Sequence, residues 1–268
     1  MITIKTKEEI EILREGGKYL AEILQKVVAA VKPGVSTLEL DGLAEGLILD
    51  CGGKPAFKGY RIKEVHTPFP GTICTSINDE VVHGIPQKNR VLKEGDIIGI
   101  DIGMAWPADK YQVSSIKYQG RGLFTDMAVT IGIGKISAEA ERLIRITQEA
   151  LDMGIQAVKP GAHTGDIGAA VESHLKKNKL GIIRDLAGHG VGHELHEEPL
   201  IPNFGKKGAG TELREGMVIA IEPMATLGDW RIKLDRDEWT IHTADQSSAA
   251  HFEHTVAVMK DGAEVLTR

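Results

Sequence analysis

Cysteine is nearly absent. Cys51 and Cys74 are the only two in 268 residues, so at most one disulfide could form, and a chain this long buries a core without one. Both are read as reduced thiols, as in a cytoplasmic protein. Neither belongs to a Cys-x-x-Cys pair, which removes structural zinc. No apolar run reaches the length that spans a bilayer. The opening MITIKTKEEIEILREGG mixes acids and bases and lacks the apolar stretch of a signal peptide. There is no long Lys/Arg run and the formal charge is −6, which implies no membrane and no specific nucleic-acid partner. Several chemistries drop out as well. G-x-S-x-G, the phosphate loop G-x-x-x-x-G-K-[ST] and a G-x-G-x-x-G turn between strand and helix are all missing. His193-Glu194 begins H-E-x-x-H, but the closing position is Glu197, so the zincin helix is excluded too.

What is present is periodic and repeated. Ile10, Leu13, Leu20, Leu24, Val27 and Val31 fall at helical spacing, and Pro33-Gly34 ends that helix. Ser36 and Glu39 form a capping box for a second. Ser137 caps a third, running to about Val158, and a fourth is expected over 164–178. Short strands fill 68–103, 181–224 and 239–267. VKPG occurs at 31–34 and returns 127 residues later. LKEGDIIGIDIGM, from Leu92, is echoed by LREGMVIAIEPM, from Leu213, 121 residues on. FTDMAVTI around Asp126 parallels HFEHTVAV around Glu253. The sequence thus reads as one domain, 1–268, built from two related halves of about 1–134 and 135–268. The fold class is α+β.

The repeat places an acid at each matched strand position. Ile98, Ile100 and Ile102 take one face of their strand, while Gly99, Asp101 and Gly103 take the other. Glu222 lies in VIAIEPM beside Ala220. An ionised carboxylate in a buried strand is costly unless paired or bound to a metal. One such acid is more often half of an ion pair; four at repeat-matched places, Asp101, Asp126, Glu222 and Glu253, point to a shared site. That much negative charge calls for two divalent cations. The glycine-rich AGHGVGHELHEEP offers His189, His193 and His196 nearby, where glycines admit close approach. A set of oxygens and one nitrogen suits Mn, Fe, Co or Zn.

These segments, with IKTKEEIEILREGG, VKPGVST, SINDEVVHGIP, GDIIGIDIG, GHGVG, HEEP, IEPM and FEHTV, resemble the methionine aminopeptidase family nearly end to end. The resemblance implies the pseudo-twofold "pita-bread" fold, a curved antiparallel sheet with helices on its outer face. It implies a dinuclear hydrolase that removes N-terminal methionine from peptides and nascent chains, preferring a small second residue. By position the metal ligands are Asp101, Asp126, His189, Glu222 and Glu253. Glu222 also serves as proton acceptor, and His83 and His196 contact the substrate and the tetrahedral intermediate. Phe69, Cys74, Leu195 and Trp239 would line the methionine slot, with Tyr60 a weaker candidate. The short stretch between His189 and Glu222 resembles bacterial type I enzymes, and a monomer is expected.

Three departures stand out. Leu195 replaces the aromatic residue often found just before His196, and His193 resembles the related Xaa-Pro peptidases. Asp101 and Asp126 are 25 residues apart, which lengthens the connection between their strands. That connection, 105–121, carries Trp106, Tyr111, Tyr118, Lys110, Lys117 and Arg121, and is expected as an extended hairpin or ordered loop. It would be a flap, a transient ribosome contact or a solvated ornament. The rival readings are an Xaa-Pro peptidase, a binding protein on the same fold that has lost its ligands, and a purely structural module.

Overall fold

The computed structural model describes residues 2–63, 65–108 and 122–268. Four helices, α1 (Lys7–Ala30), α2 (Thr37–Asp50), α3 (Ala138–Gln156) and α4 (Thr164–Lys177), account for the helical segments. Their starts follow local chemistry. Thr6 and Glu9 close a capping box on α1, as Ser36 and Glu39 do on α2. The Ser137 hydroxyl accepts the Ala140 N–H of α3 at 3.1 Å. On α1 the apolar stripe Ile10, Leu13, Leu20, Leu24 and Val27 is buried, and α1 packs mainly on the strands Leu123–Gly132 and Ile97–Trp106.

Those strands belong to a nine-stranded sheet, antiparallel at every pairing. Its path runs Lys54–Pro55, Ile97–Trp106, Leu123–Gly132, Glu253–Met259, Val218–Ile221, Ala187–Gly190, Glu197–Pro202. Ile73–Ile77 also pairs with Ile97–Trp106, and Gly262–Val265 with Glu253–Met259. The fold is thus α+β. Strands carrying Asp101 and Asp126 are direct neighbours, as the sequence reading required. Most of the long connection between them, 109–121, lies outside the described residues.

Register explains why acids distant in sequence can share a site. Cys74 faces Asp101, Asp101 faces Ala128, and Ala128 faces Glu253. One row across four strands therefore carries two carboxylates separated only by a methyl group. Asp126, two residues from Ala128, projects from the same face. The two central strands pair directly only at Glu253 with Ala128 and His254 with Met127. On either side, threonine hydroxyls bridge the gap. Thr255 Oγ1 accepts from Asp126 N–H at 2.9 Å and donates to Asp126 O at 2.8 Å. Thr130 Oγ1 does the same for the backbone of His251, at 2.9 and 2.8 Å.

Candidate active site

A cavity of about 570 Å³ opens on that row and is lined by every site residue that the family resemblance implied, whereas His193, offered by the same glycine-rich segment, does not line it. Asp126, His189 and Glu253 are buried, with one ligand atom of each within 4.8 Å of the others. His189 Nε2 lies 3.6 Å from Glu222 Oε1. His189 can sit this deep because its neighbours are glycines. A Cβ at Gly188 would fall 2.3 Å from Ala220 O, and one at Gly190 2.3 Å from Glu198 O.

Burial pushes the Asp101 carboxyl up to about 7, where a hydrogen bond with Asp126 limits the rise. Asp126, Glu222 and Glu253 are driven well above the ordinary carboxylate range, first by burial and then by the charges of their neighbours in the group, Asp101 among them in every case. Asp101 Oδ1, Asp126 Oδ1 and Glu253 Oε1 are buried with no hydrogen-bond partner among the described residues. Buried acceptors left bare are costly. Divalent cations would satisfy these oxygens and reverse the repulsion, and the oxygen-rich donor set with imidazole suits them. The residues present therefore fit a metal centre.

The sequence pattern of metallopeptidase family M24 matches residues 11–260. The chain belongs to metallopeptidase family M24. Within M24, the methionine aminopeptidase of Clostridium acetobutylicum is 44% identical over 267 residues, covering 100% of this chain and 99% of the relative. The crystal structure of methionine aminopeptidase from Rickettsia prowazekii superposes with a TM-score of 0.91 at 37% identity, covering both chains fully. The pita-bread arrangement is therefore that of this M24 chain. Prolidase from Pyrococcus horikoshii shares the fold at TM-score 0.73 and 21% identity, over 99% of this chain but 63% of its own.

Among the histidines around the acids of this M24 site are His83 and His196. His83 follows the strand Glu80–Val82 and has φ of +60°, a conformation rare outside glycine and often found where a side chain must be aimed. His196 stacks edge-on against His189, ring centroids 4.4 Å apart. Burial lowers both His83 and His196 to about 4, so both are neutral imidazoles at pH 7. The Tyr60 hydroxyl lies 2.6 Å from His196 Nδ1. Burial raises the Tyr60 pKa, so the phenol keeps its proton; with the phenol as donor, the His196 proton sits on Nε2. Tyr60, a weaker candidate from sequence, lines the same cavity.

The predicted apolar slot is a contiguous cluster. Phe69, Cys74, Leu195 and Trp239 pack together, joined by Phe57. Phe69 and Trp239 meet edge-to-face at 5.3 Å, and the Trp239 indole N–H donates to Thr67 O at 3.1 Å. A Cβ at Gly103 would fall 2.7 Å from the Phe57 ring, so the bare face beside Asp101 makes room for an aromatic wall. Burial raises the Cys74 thiol well above its usual range, so it stays neutral.

Two features escaped the sequence reading. His251 lines the cavity; its clue was a position two residues before Glu253, on the same strand parity. The other is a buried polar latch under the His196 loop. Lys5 Nζ donates to Glu197 Oε2 at 2.7 Å, and Glu197 Oε1 accepts the His193 and Glu194 N–H groups at 2.6 and 3.1 Å. His193 Nε2 meets Glu9 Oε1 at 2.7 Å. The Lys5 and Glu197 side chains are 0% and 5% exposed. Their charges lie 192 residues apart in sequence, and nothing in the pattern announces the pairing. Lys5→Met would strand the Glu197 carboxylate, so stability should fall by about 3–5 kcal/mol, as read by urea denaturation.

Proposed function

We propose that the chain removes the N-terminal methionine from peptides and nascent proteins, as a single catalytic domain of two repeat-related halves. The observation that carries this reading is the meeting, in one cavity, of a four-carboxylate, one-imidazole cluster with an aromatic-walled slot. Asp101, Asp126, His189, Glu222 and Glu253 would hold two divalent ions, Co, Mn, Fe or Zn. When bound, such ions acidify a water molecule and polarise the scissile carbonyl.

The chain's own groups supply the rest. The slot takes the methionine side chain, with sulfur against the Phe69 and Trp239 rings. The acid-rich floor selects a free amino terminus, which restricts cutting to the first peptide bond. Glu222 accepts the proton of the attacking water. His196, with its Nε2–H fixed by Tyr60, donates to the oxygen that gains charge, and His83 contacts the substrate amide. The sequence supports a cytoplasmic monomer, and the basic and aromatic residues of 105–121 support a transient contact with the ribosome, which co-sedimentation of a 107–120 deletion checks.

Substrate preference tests the whole reading. Met-Gly- and Met-Ala-peptides should be cut far faster than Met-Leu-peptides, because His83, His196 and the acids crowd the scissile bond. Rapid cleavage of Ala-Pro-peptides with Met-Ala-peptides left intact would instead establish an Xaa-Pro peptidase.

A further inference from the structure

His251 has no role in the scheme above, yet it stands at its centre. The residue is 3% exposed, lines the cavity and leaves its Nε2 without a hydrogen-bond partner among the described residues. A buried ring nitrogen left bare is costly. A histidine serving only as core filler would be expected to point that nitrogen at a partner. Here the carboxylate facing it is Glu222, whose Oε2 lies 3.6 Å from His251 Nε2. The other oxygen of Glu222 stands at the same distance, 3.6 Å, from His189 Nε2. Glu222 is therefore bracketed by two imidazoles, one to each oxygen.

The backbone holds the His251 ring in place. Both the N–H and the C=O of His251 bond the Thr130 hydroxyl, at 2.9 and 2.8 Å. His251 also pairs with Met224 across the strands Ala249–His251 and Met224–Thr226, which ties it to the segment carrying Glu222. We propose that His251 is a positioning residue: its Nε2–H holds one oxygen of Glu222, leaving the other to a metal shared with His189. This rests on the reading of Glu222 as a metal-holding group. Carboxylates that bind metals are commonly oriented by such outer donors, and their loss weakens binding about 10–100-fold.

The test compares His251→Gln, which keeps an N–H donor at similar reach, with His251→Leu, which keeps bulk without a donor. Co(II) alone is titrated into each chelator-stripped protein by calorimetry, and the visible Co(II) spectrum is recorded. His251→Leu should lose about 10–100-fold in affinity for one ion and change the spectrum, while His251→Gln recovers most of both. The proposal is overturned if His251→Leu binds like the unaltered protein with the same spectrum. It is equally overturned if the Leu and Gln variants are weakened alike. A wild-type protein that takes up no Co(II) would sink the metal-site reading itself, and this inference with it; uptake that ignores residue 251 sinks only the inference. One measurement needs no loss of the ring. Long-range ¹H–¹⁵N spectra of the Zn(II)-loaded protein, assigned with His251→Gln, should show His251 protonated at Nε2, and an unprotonated Nε2 refutes the proposal.

Discussion

Asp126→Ala should abolish activity while leaving the protein folded. Asp126 is 3% exposed and its carboxyl is repelled by Glu253 and Asp101. Removing it takes a costly group out of the apo protein, so thermal stability without metal should hold or rise, whereas most buried truncations lower it. With metal the order reverses. The unaltered chain gains stability from ions that bind only its folded state, and Asp126→Ala should lose that gain together with its activity. Scans with and without Mn(II) or Co(II), beside turnover of a Met-Ala-peptide, give both readings. Full activity for Asp126→Ala at saturating metal would refute the dinuclear assignment. Glu253→Ala should behave in the same way, since Glu253 is 2% exposed and shares the group with Asp126 and His189.

His196→Ala should separate catalysis from metal holding. His196 reaches Tyr60 through Nδ1 and lies outside the metal-sized cluster of Asp126, His189 and Glu253. Loss of one donor to a developing oxyanion lowers kcat by about 10²–10³-fold. Metal content should stay near that of the unaltered protein. Tyr60→Phe should fall in the same direction by less, because it removes only the group that fixes the His196 tautomer. If His196→Ala instead loses a stoichiometric ion, the residue is a ligand and its assigned role is wrong.

The site was legible in sequence to the extent that repetition exposed it. Asp101, Asp126, Glu222 and Glu253 stood out because each recurs at a matched strand position, and register delivers Asp101 and Glu253 to one row through Ala128. The slot was different. Phe69, Cys74, Leu195 and Trp239 are unremarkable apolar residues locally, and only a family resemblance gathered them; their packing together depends on long-range topology. His251 was missed because its meaning lies in the distance to Glu222, 29 positions away. Lys5 was missed because a lysine near a chain start reads as surface charge, and burial of its ammonium follows from tertiary packing alone. Helix starts were the easiest feature to read, since caps such as Ser36 and Ser137 act over three residues.

The latch beneath the His196 loop also bears on how the chain reaches its active form. Lys5 waits for Glu197. Arg14 on α1 waits for Glu264, which it holds through two hydrogen bonds of 2.6 and 2.9 Å, and Gly17 lies so near Leu266 O that a Cβ would approach it to 2.4 Å. Helix α1 therefore finds partners about 250 positions further along the chain. Until the strands Ile97–Trp106 and Leu123–Gly132 cover it, its apolar stripe is exposed, the kind of surface that invites chaperones and aggregation. Contacts of such sequence separation also slow closure of the fold. An enzyme proposed to trim other chains as they emerge can complete its own catalytic loop only after Glu197, 192 positions beyond Lys5, has been made.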